Sequence, residues 1–193
     1  LGMLRLFTAL DSSQAVTNQL FALKKEMIGV RWLNPQTYHC TLLYIGDANV
    51  YLYRQIKQQL KHIHFRPFSR RVNNFEIFNA INNKPHVLVA LVEPNNSLVE
   101  LQAKINDTIS MFHPNLEMHY RYRAHLSIAR LTNCNMSEVQ DWLNTNENSF
   151  DQTIEIGHFS LFSSRSTSSG SVFTKMENYD MSSFYLNGPS NSY

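Results

Sequence analysis

The sequence predicts a mixed protein of strands and helices built as two similar lobes that face each other across a cleft. Three observations predict it. Strand-like and helix-like patterns follow in the same order in both halves of the chain. A histidine followed two places on by a hydroxyl residue interrupts an apolar strand once in each half, in YHCTLLYIG (38–46) and in AHLSIARL (124–131). The two units lie too far apart for a solenoid period, so an internal duplication is the better account. The expectation is one domain over 1–193, made of two duplicated lobes with motifs at 39–42 and 125–128.

In the first half, LRLFTAL (4–10) reads as a strand. A helix follows, started by Ser12/Ser13 and carrying Val16, Leu20, Leu23 and Met27 on one face. The first His strand comes next. Gly46 and Asp47 read as its turn, Leu52, Ile56, Leu60 and Ile63 mark a second amphipathic helix, and RRVNNFEIF (70–78) closes the half as a strand. The second half opens with HVLVALV (86–92), continues through a helix bearing Leu98, Leu101, Ile105 and Ile109, and reaches the second His strand. A short helix around Val139 and Leu143 and a strand over 154–162 complete it. The tract SSRSTSSGS (Ser163 to Ser171) has linker composition, but strand-like segments on both sides, SVFTKM included, make it a hairpin turn. The tail LNGPSNSY reads as frayed.

With 193 residues, 43% of them hydrophobic and 12% aromatic, the chain has enough apolar surface for a substantial core. No apolar run reaches membrane-spanning length and no signal-peptide pattern opens the chain, so the expectation is a soluble, cytoplasmic protein. A monomer is the expected state, although no pattern in the sequence sets it. Cys40 and Cys134 lack any disulfide or zinc spacing and read as reduced thiols, with no metal or cofactor implied. A net charge of +2 excludes a nonspecific polyanion coat but allows a local anion-binding cleft.

Side chains alternate along a strand, so His39 and Thr41 share one face while Cys40 and Leu42 share the other; the same holds for His125 and Ser127 against Leu126 and Ile128. Duplicated lobes would set the two polar pairs face to face. Two imidazoles can then divide the work, one neutral and accepting a proton, the other charged and donating one. With both rings near their ordinary pKa, roughly a fifth of molecules at pH 7 hold one chosen acid and base arrangement. Hydroxyls and a guanidinium suit the oxygens of a tetrahedral phosphate. Arg130 and Tyr44 each lie five residues beyond their histidine, so a regular strand would turn them away, and only a bulge or strand end would bring them into the cleft. Arg121 and Arg123 fall on the alternating side that His125 occupies, which makes them candidates for nucleotide contact. Tyr44 and Tyr122 are candidates for stacking on a base.

The remaining histidines, His62, His64, His86, His113, His119 and His158, have no such partner and read as structural or exposed. Arg66, Arg70 and Arg71 read as a solvated basic face and not an RNA track.

HCTL (39–42) and HLSI (125–128) resemble the paired His-x-Thr/Ser-x motifs of the 2H phosphoesterase superfamily. The opening LRLFTALD, Gly46, Arg130 and the closing FSLFSSR…VFTKM hairpin resemble its RNA 2′,3′-cyclic phosphodiesterase branch, also called 2′-5′ RNA ligase or LigT-like, over essentially the whole chain. That resemblance implies a bilobal α+β fold of mainly antiparallel sheet around a central cleft. It implies metal-independent hydrolysis of 2′,3′-cyclic phosphate RNA ends, tRNA halves among them, to 2′-phosphomonoesters, with reversible 2′-5′ ligation. It further implies His39 as proton donor to the leaving oxygen, His125 as the base, Thr41, Ser127 and Arg130 on the phosphate, and Tyr44 at a base-stacking position. Ser127 stands where Thr is commoner, and RYRA replaces a proline-rich approach to the second motif. The alternatives are a phosphodiesterase for another cyclic phosphate or a 2′-5′ oligonucleotide, and a non-catalytic nucleotide-binding module of the same fold.

Overall fold

A computed structural model of the chain describes residues 2–80, 85–116 and 121–181. In chain order its elements are β1 (Leu4–Asp11), α1 (Gln14–Phe21), β2 (Val30–Trp32), β3 (His39–Ala48), α2 (Val50–Leu60), β4 (Phe68–Phe78), β5 (His86–Val92), α3 (Asn96–Ser110), β6 (His125–Leu131), α4 (Met136–Asn146), β7 (Asp151–Ile156), β8 (His158–Thr167) and β9 (Gly170–Asp180). A short 3-10 turn, Pro35–Thr37, leads into β3. His119 and the tail beyond Met181 lie outside the described residues. No described helix is long and apolar enough to cross a membrane.

All strands join one curled antiparallel sheet in the order β7-β4-β5-β6-β3-β1-β8-β9, with β2 paired to β6. The fold is α+β, and the two His strands are its central neighbours. Its halves are not the halves of the sequence. β4, which ends the first half of the chain, lies beside β5, while the hairpin β8–β9 returns from the C-terminal half to extend β1. Gly157, between the buried Ile156 and Phe159, separates β7 from β8, so what reads as one strand over 154–162 is two strands on opposite sides of the sheet, β7 at one edge and β8 next to the other.

Local chemistry starts each helix. Ser13, Asn49, Asn95 and Asn135 cap α1, α2, α3 and α4, each side-chain oxygen accepting from a first-turn N–H. The first helix is shorter than its apolar spacing predicts, ending at Phe21 and not near Met27. Tryptophan indoles take the carbonyls a longer helix would use: Trp142 Nε1 donates to Leu23 O at 2.9 Å and Trp32 Nε1 to Lys25 O at 2.8 Å. Tertiary hydrogen bonding here outcompetes a periodic pattern.

Leu98, Leu101, Ile105 and Ile109 of α3 and Ile56 and Leu60 of α2 form one core with Cys40, Leu42, Leu126 and Ile128, all at most 2% exposed. The opposite face of β3 and β6 is left open. A second small cluster, Phe7, Ala9 and Phe162 with Phe173 against it, supports that open face beside β3.

Candidate active site

Cys40 pairs with Leu126 across β3 and β6. Continuing that antiparallel register by one residue on each side sets His39 opposite Ser127 and Thr41 opposite His125. The four motif side chains therefore form one square on the open face, while the residues between them fill the core.

The two strands share an irregularity. Against β1, Ala9 pairs with Thr41 and Thr8 with Leu43, so Leu42 is an extra residue; against β5, Val89 pairs with Ser127 and Leu88 with Ala129, so Ile128 is the extra one. Both are bulges at the fourth residue of the motif, and each advances the alternation by one. Burial alternates alike on both strands: half-buried, buried, half-buried, buried, buried, and then a side chain turned back outward at Tyr44 and at Arg130. The bulges supply the redirection that the offset of five requires. The expected turn at Gly46 is a further bulge inside β3, where Leu6 pairs with Gly46 and Phe7 with Tyr44, and Gly46 takes φ +90°, accessible to glycine without strain.

Each imidazole is anchored alike. His39 Nδ1 lies 3.1 Å from Thr37 O and His125 Nδ1 lies 2.8 Å from Arg123 O. A carbonyl only accepts, so Nδ1 carries the hydrogen and Nε2 is left to act. Each ring packs on a phenylalanine with centroids 4.7 Å apart, His39 on Phe162 and His125 on Phe78. Each phenylalanine in turn lies under a cation, Lys175 at 5.7 Å and Arg123 at 4.9 Å. Both cations hold a carboxylate: Lys175 binds Asp11 at 2.7 Å, and Arg123 grips Glu76 through two bonds of 2.9 and 2.7 Å.

The carboxylates differ in reach. Asp11 Oδ1 also stands 3.5 Å from His39 Nε2, and its other oxygen accepts from His158 Nε2 at 2.9 Å. Burial pushes the Asp11 pKa up, but the His158 and Lys175 hydrogen bonds and the neighbouring positive charges outweigh it and hold the group at about 2. Burial lowers the pKa of both motif histidines. Asp11 and the Thr37 carbonyl pull His39 back up against Lys175, whereas at His125 the Arg123 carbonyl raises the pKa and the Arg123 charge lowers it. His158 is thus a site residue that its isolated place in the sequence conceals. Asp11 is another, although it ends the strand quoted for the resemblance and sits opposite His39 in register.

Two cavities meet over the square. One, of about 660 Å³, takes in His39, Thr41, Tyr44, Ser127 and Arg130; the other, of about 540 Å³, takes in His125, Thr41, Tyr44, Tyr122 and Arg121. Tyr44, 43% exposed, stands between them. Tyr122 lines the second cavity, yet its hydroxyl is committed: it donates to Thr41 O at 2.8 Å and lies 3.6 Å from Cys40 Sγ, with burial driving its pKa far above the ordinary tyrosine value. It ties its loop to β3. Burial likewise pushes the Cys40 thiol up to about 11. Arg123 is occupied by Glu76, and Arg121 is exposed at the second cavity. Arg71 pairs with Asp151, and Arg70 binds the Glu93 carbonyl at 2.6 Å, so neither offers a free basic track. Among the described residues no three His, Cys, Asp or Glu side chains group as a metal site.

A profile of the 2′-5′ RNA ligase superfamily matches residues 29–167. The chain belongs to that superfamily. It is 24% identical to the RNA 2′,3′-cyclic phosphodiesterase of Archaeoglobus fulgidus over 182 residues, covering 92% of this chain and all of that one. To the enzyme of the same name from Aquifex aeolicus it is 24% identical over 195 residues, covering 96% and 99%. The fold matches the crystal structure of E. coli LigT complexed with 3′-AMP with a TM-score of 0.69 at 13% identity, over 93% of this chain and 99% of that one. It matches the crystal structure of TT0787 from Thermus thermophilus with a TM-score of 0.71 at 17% identity, over 92% and 97%.

Proposed function

We propose that the protein is an RNA 2′,3′-cyclic 3′-phosphodiesterase, opening the cyclic phosphate at an RNA end to leave a 2′-phosphomonoester. The observation that carries the reading is the square of His39, Ser127, Thr41 and His125 on one face of the sheet, each imidazole oriented by a carbonyl two residues upstream. The names of the curated relatives supply the substrate class, and a structural neighbour complexed with 3′-AMP supports a nucleotide ligand.

The division of labour follows from the charges. With Thr37 O and Asp11 Oδ1 facing its two nitrogens, His39 is surrounded by acceptors and suits the imidazolium form. His125 has one acceptor and a guanidinium nearby, which suits the neutral ring. Water attacks phosphorus in line from the His125 side and gives its proton to Nε2 of that ring. The new P–O bond forms as the bond from phosphorus to the 3′ oxygen breaks, and the departing oxygen takes the proton of His39. Thr41, Ser127 and Arg130 donate to the non-bridging oxygens, whose charge grows along the way. Tyr44 offers a base its exposed ring. With an RNA 5′-hydroxyl in place of the water, the same two proton transfers would form a 2′-5′ linkage, and their reversal would cleave it. The matching bulges and anchors of β3 and β6 support the reading of one domain with two duplicated lobes.

The test is incubation with a nucleoside 2′,3′-cyclic phosphate in the presence of a chelator, with the product isomer identified by phosphorus NMR. A 2′-phosphate that disappears in His39→Ala and in His125→Ala supports the assignment. No turnover, or turnover indifferent to both substitutions, rejects it.

A further inference from the structure

The square of motif residues is not the last polar row on the open face. Ser127 pairs with Val89 and Arg130 with Val87, so Arg130 lies two β5 residues farther along, about 7 Å at the usual strand rise. Just as His39 stands opposite Ser127, Arg31 of β2 stands opposite Arg130. The two arginines are directly opposite like-charged residues in the register, an arrangement that costs stability unless an anion relieves it. Among the described residues no carboxylate pairs with either arginine, and Arg130 Nε is buried without a hydrogen-bond partner. Arg31 reaches across the mouth of the larger cavity towards the β8–β9 turn, where a Cβ built on Gly170 would lie 3.5 Å from its Nη1. Both arginines line the cavity that contains His39.

We propose that Arg31 forms a second phosphate subsite, receiving the phosphate on the 5′ side of the nucleotide whose cyclic phosphate reacts. The inference rests on the phosphodiesterase reading, because that reading places the departing 3′ oxygen, and with it the ribose, on the His39 side. The nucleoside then fills the larger cavity, and its 5′ oxygen leads away from the square towards the next polar row. One step along a nucleotide chain carries a second phosphate there, where Arg31 can grip it with two parallel N–H bonds. Arg130 remains with the reacting phosphate. Lys24, at the same rim, is already paired with Glu26 at 3.1 Å and is the weaker candidate. A phosphate at this position comes either from an RNA chain, as a diester, or from a free nucleotide, as a 5′-monoester.

Three substrates with one base separate these cases: the nucleoside 2′,3′-cyclic phosphate, the same compound with a 5′-monophosphate, and the dinucleotide ending in the cyclic phosphate. The wild-type protein is expected to show kcat/KM about tenfold higher for at least one phosphate-bearing substrate than for the bare one, as a charge-assisted bidentate contact gives. A gain confined to the dinucleotide identifies the RNA chain as the source, and one confined to the 5′-monophosphate identifies the free nucleotide. In Arg31→Ala the ratio is expected to fall to near one, and in Arg31→Lys part of it to return. Raising the salt concentration should shrink the wild-type ratio by the slope of about one phosphate contact. Equal kcat/KM for all three in the wild type, or a preference that survives Arg31→Ala, overturns the subsite. If the wild type turns over none of the three, the phosphodiesterase reading itself has failed, a result distinct from loss of the preference.

Discussion

The His39 and His125 sides of the cleft are built from the same parts in the same order. Each has a histidine held by a carbonyl, a phenylalanine beneath it, a cation over the phenylalanine and a carboxylate on the cation. They differ in what the carboxylate touches besides its cation. Asp11 reaches past its lysine to the His39 ring, while Glu76 spends both oxygens on Arg123. On the proposed mechanism, a near-symmetric scaffold gives opposite proton roles to two identical side chains by where one carboxylate oxygen falls.

The strongest way to break the comparison is to remove either ring. His39→Ala and His125→Ala should each reduce kcat/KM on a cyclic phosphate about 100- to 10,000-fold, and the double variant should be little worse than the poorer single one, because the two act as a unit. If the double variant loses the product of the single losses, the rings work independently.

Asp11→Asn tests the asymmetry directly. The proposed mechanism needs His39 protonated and His125 neutral, so on it the alkaline limb of the pH profile reports His39 and the acid limb reports His125. Without Asp11 the His39 pKa falls, and the alkaline limb should move to lower pH with a loss at neutral pH on the order of tenfold. Glu76→Gln should leave that limb in place. Movement of the same limb by both variants would show that the two carboxylates are equivalent after all.

Asp11 also carries a stability signature. Its folded pKa of about 2 lies below the unfolded value, so its contribution is complete above about pH 4 and is lost as pH falls towards 2. The size is about 2 kcal/mol, to be read as the difference in acid sensitivity between wild type and Asp11→Asn in denaturant titrations at pH 5 and pH 2.5. The two motif histidines act higher on the scale. Their folded pKa values are depressed, so the unfolded chain binds more protons below about 6.5 and stability should decline there, less steeply in His39→Ala.

The smallest change sharpens the comparison of the hydroxyls. Ser127→Thr restores a methyl that narrows the rotamer choice and should alter kcat by no more than about threefold, whereas Ser127→Ala should cost about tenfold in steady-state turnover.

Much of the site was legible in the sequence because strand alternation is a local property. From HCTL and HLSI alone it follows that His39 and Thr41 share a face, that His125 and Ser127 do likewise, and that Cys40 and Leu126 point into the core, as the structure has them. The termini of the elements were less legible: indole donors from Trp32 and Trp142 end α1 early, and nothing in the local pattern of 22–27 records them.

By itself, then, the sequence determined the chemistry available, two imidazoles and two hydroxyls on apolar strands, and the faces on which they stand. The tertiary structure alone decided that the two strands are neighbours, that bulges at Leu42 and Ile128 turn Tyr44 and Arg130 into the cleft, that Asp11 stands between His39 and His158 with one oxygen on each, and that Arg31 lies opposite Arg130. The physical reason is that a side chain's face is set by its own backbone, whereas a bulge exists only against the strand it is counted with. Charge at a ring likewise depends on residues that pairing brings from more than a hundred positions away.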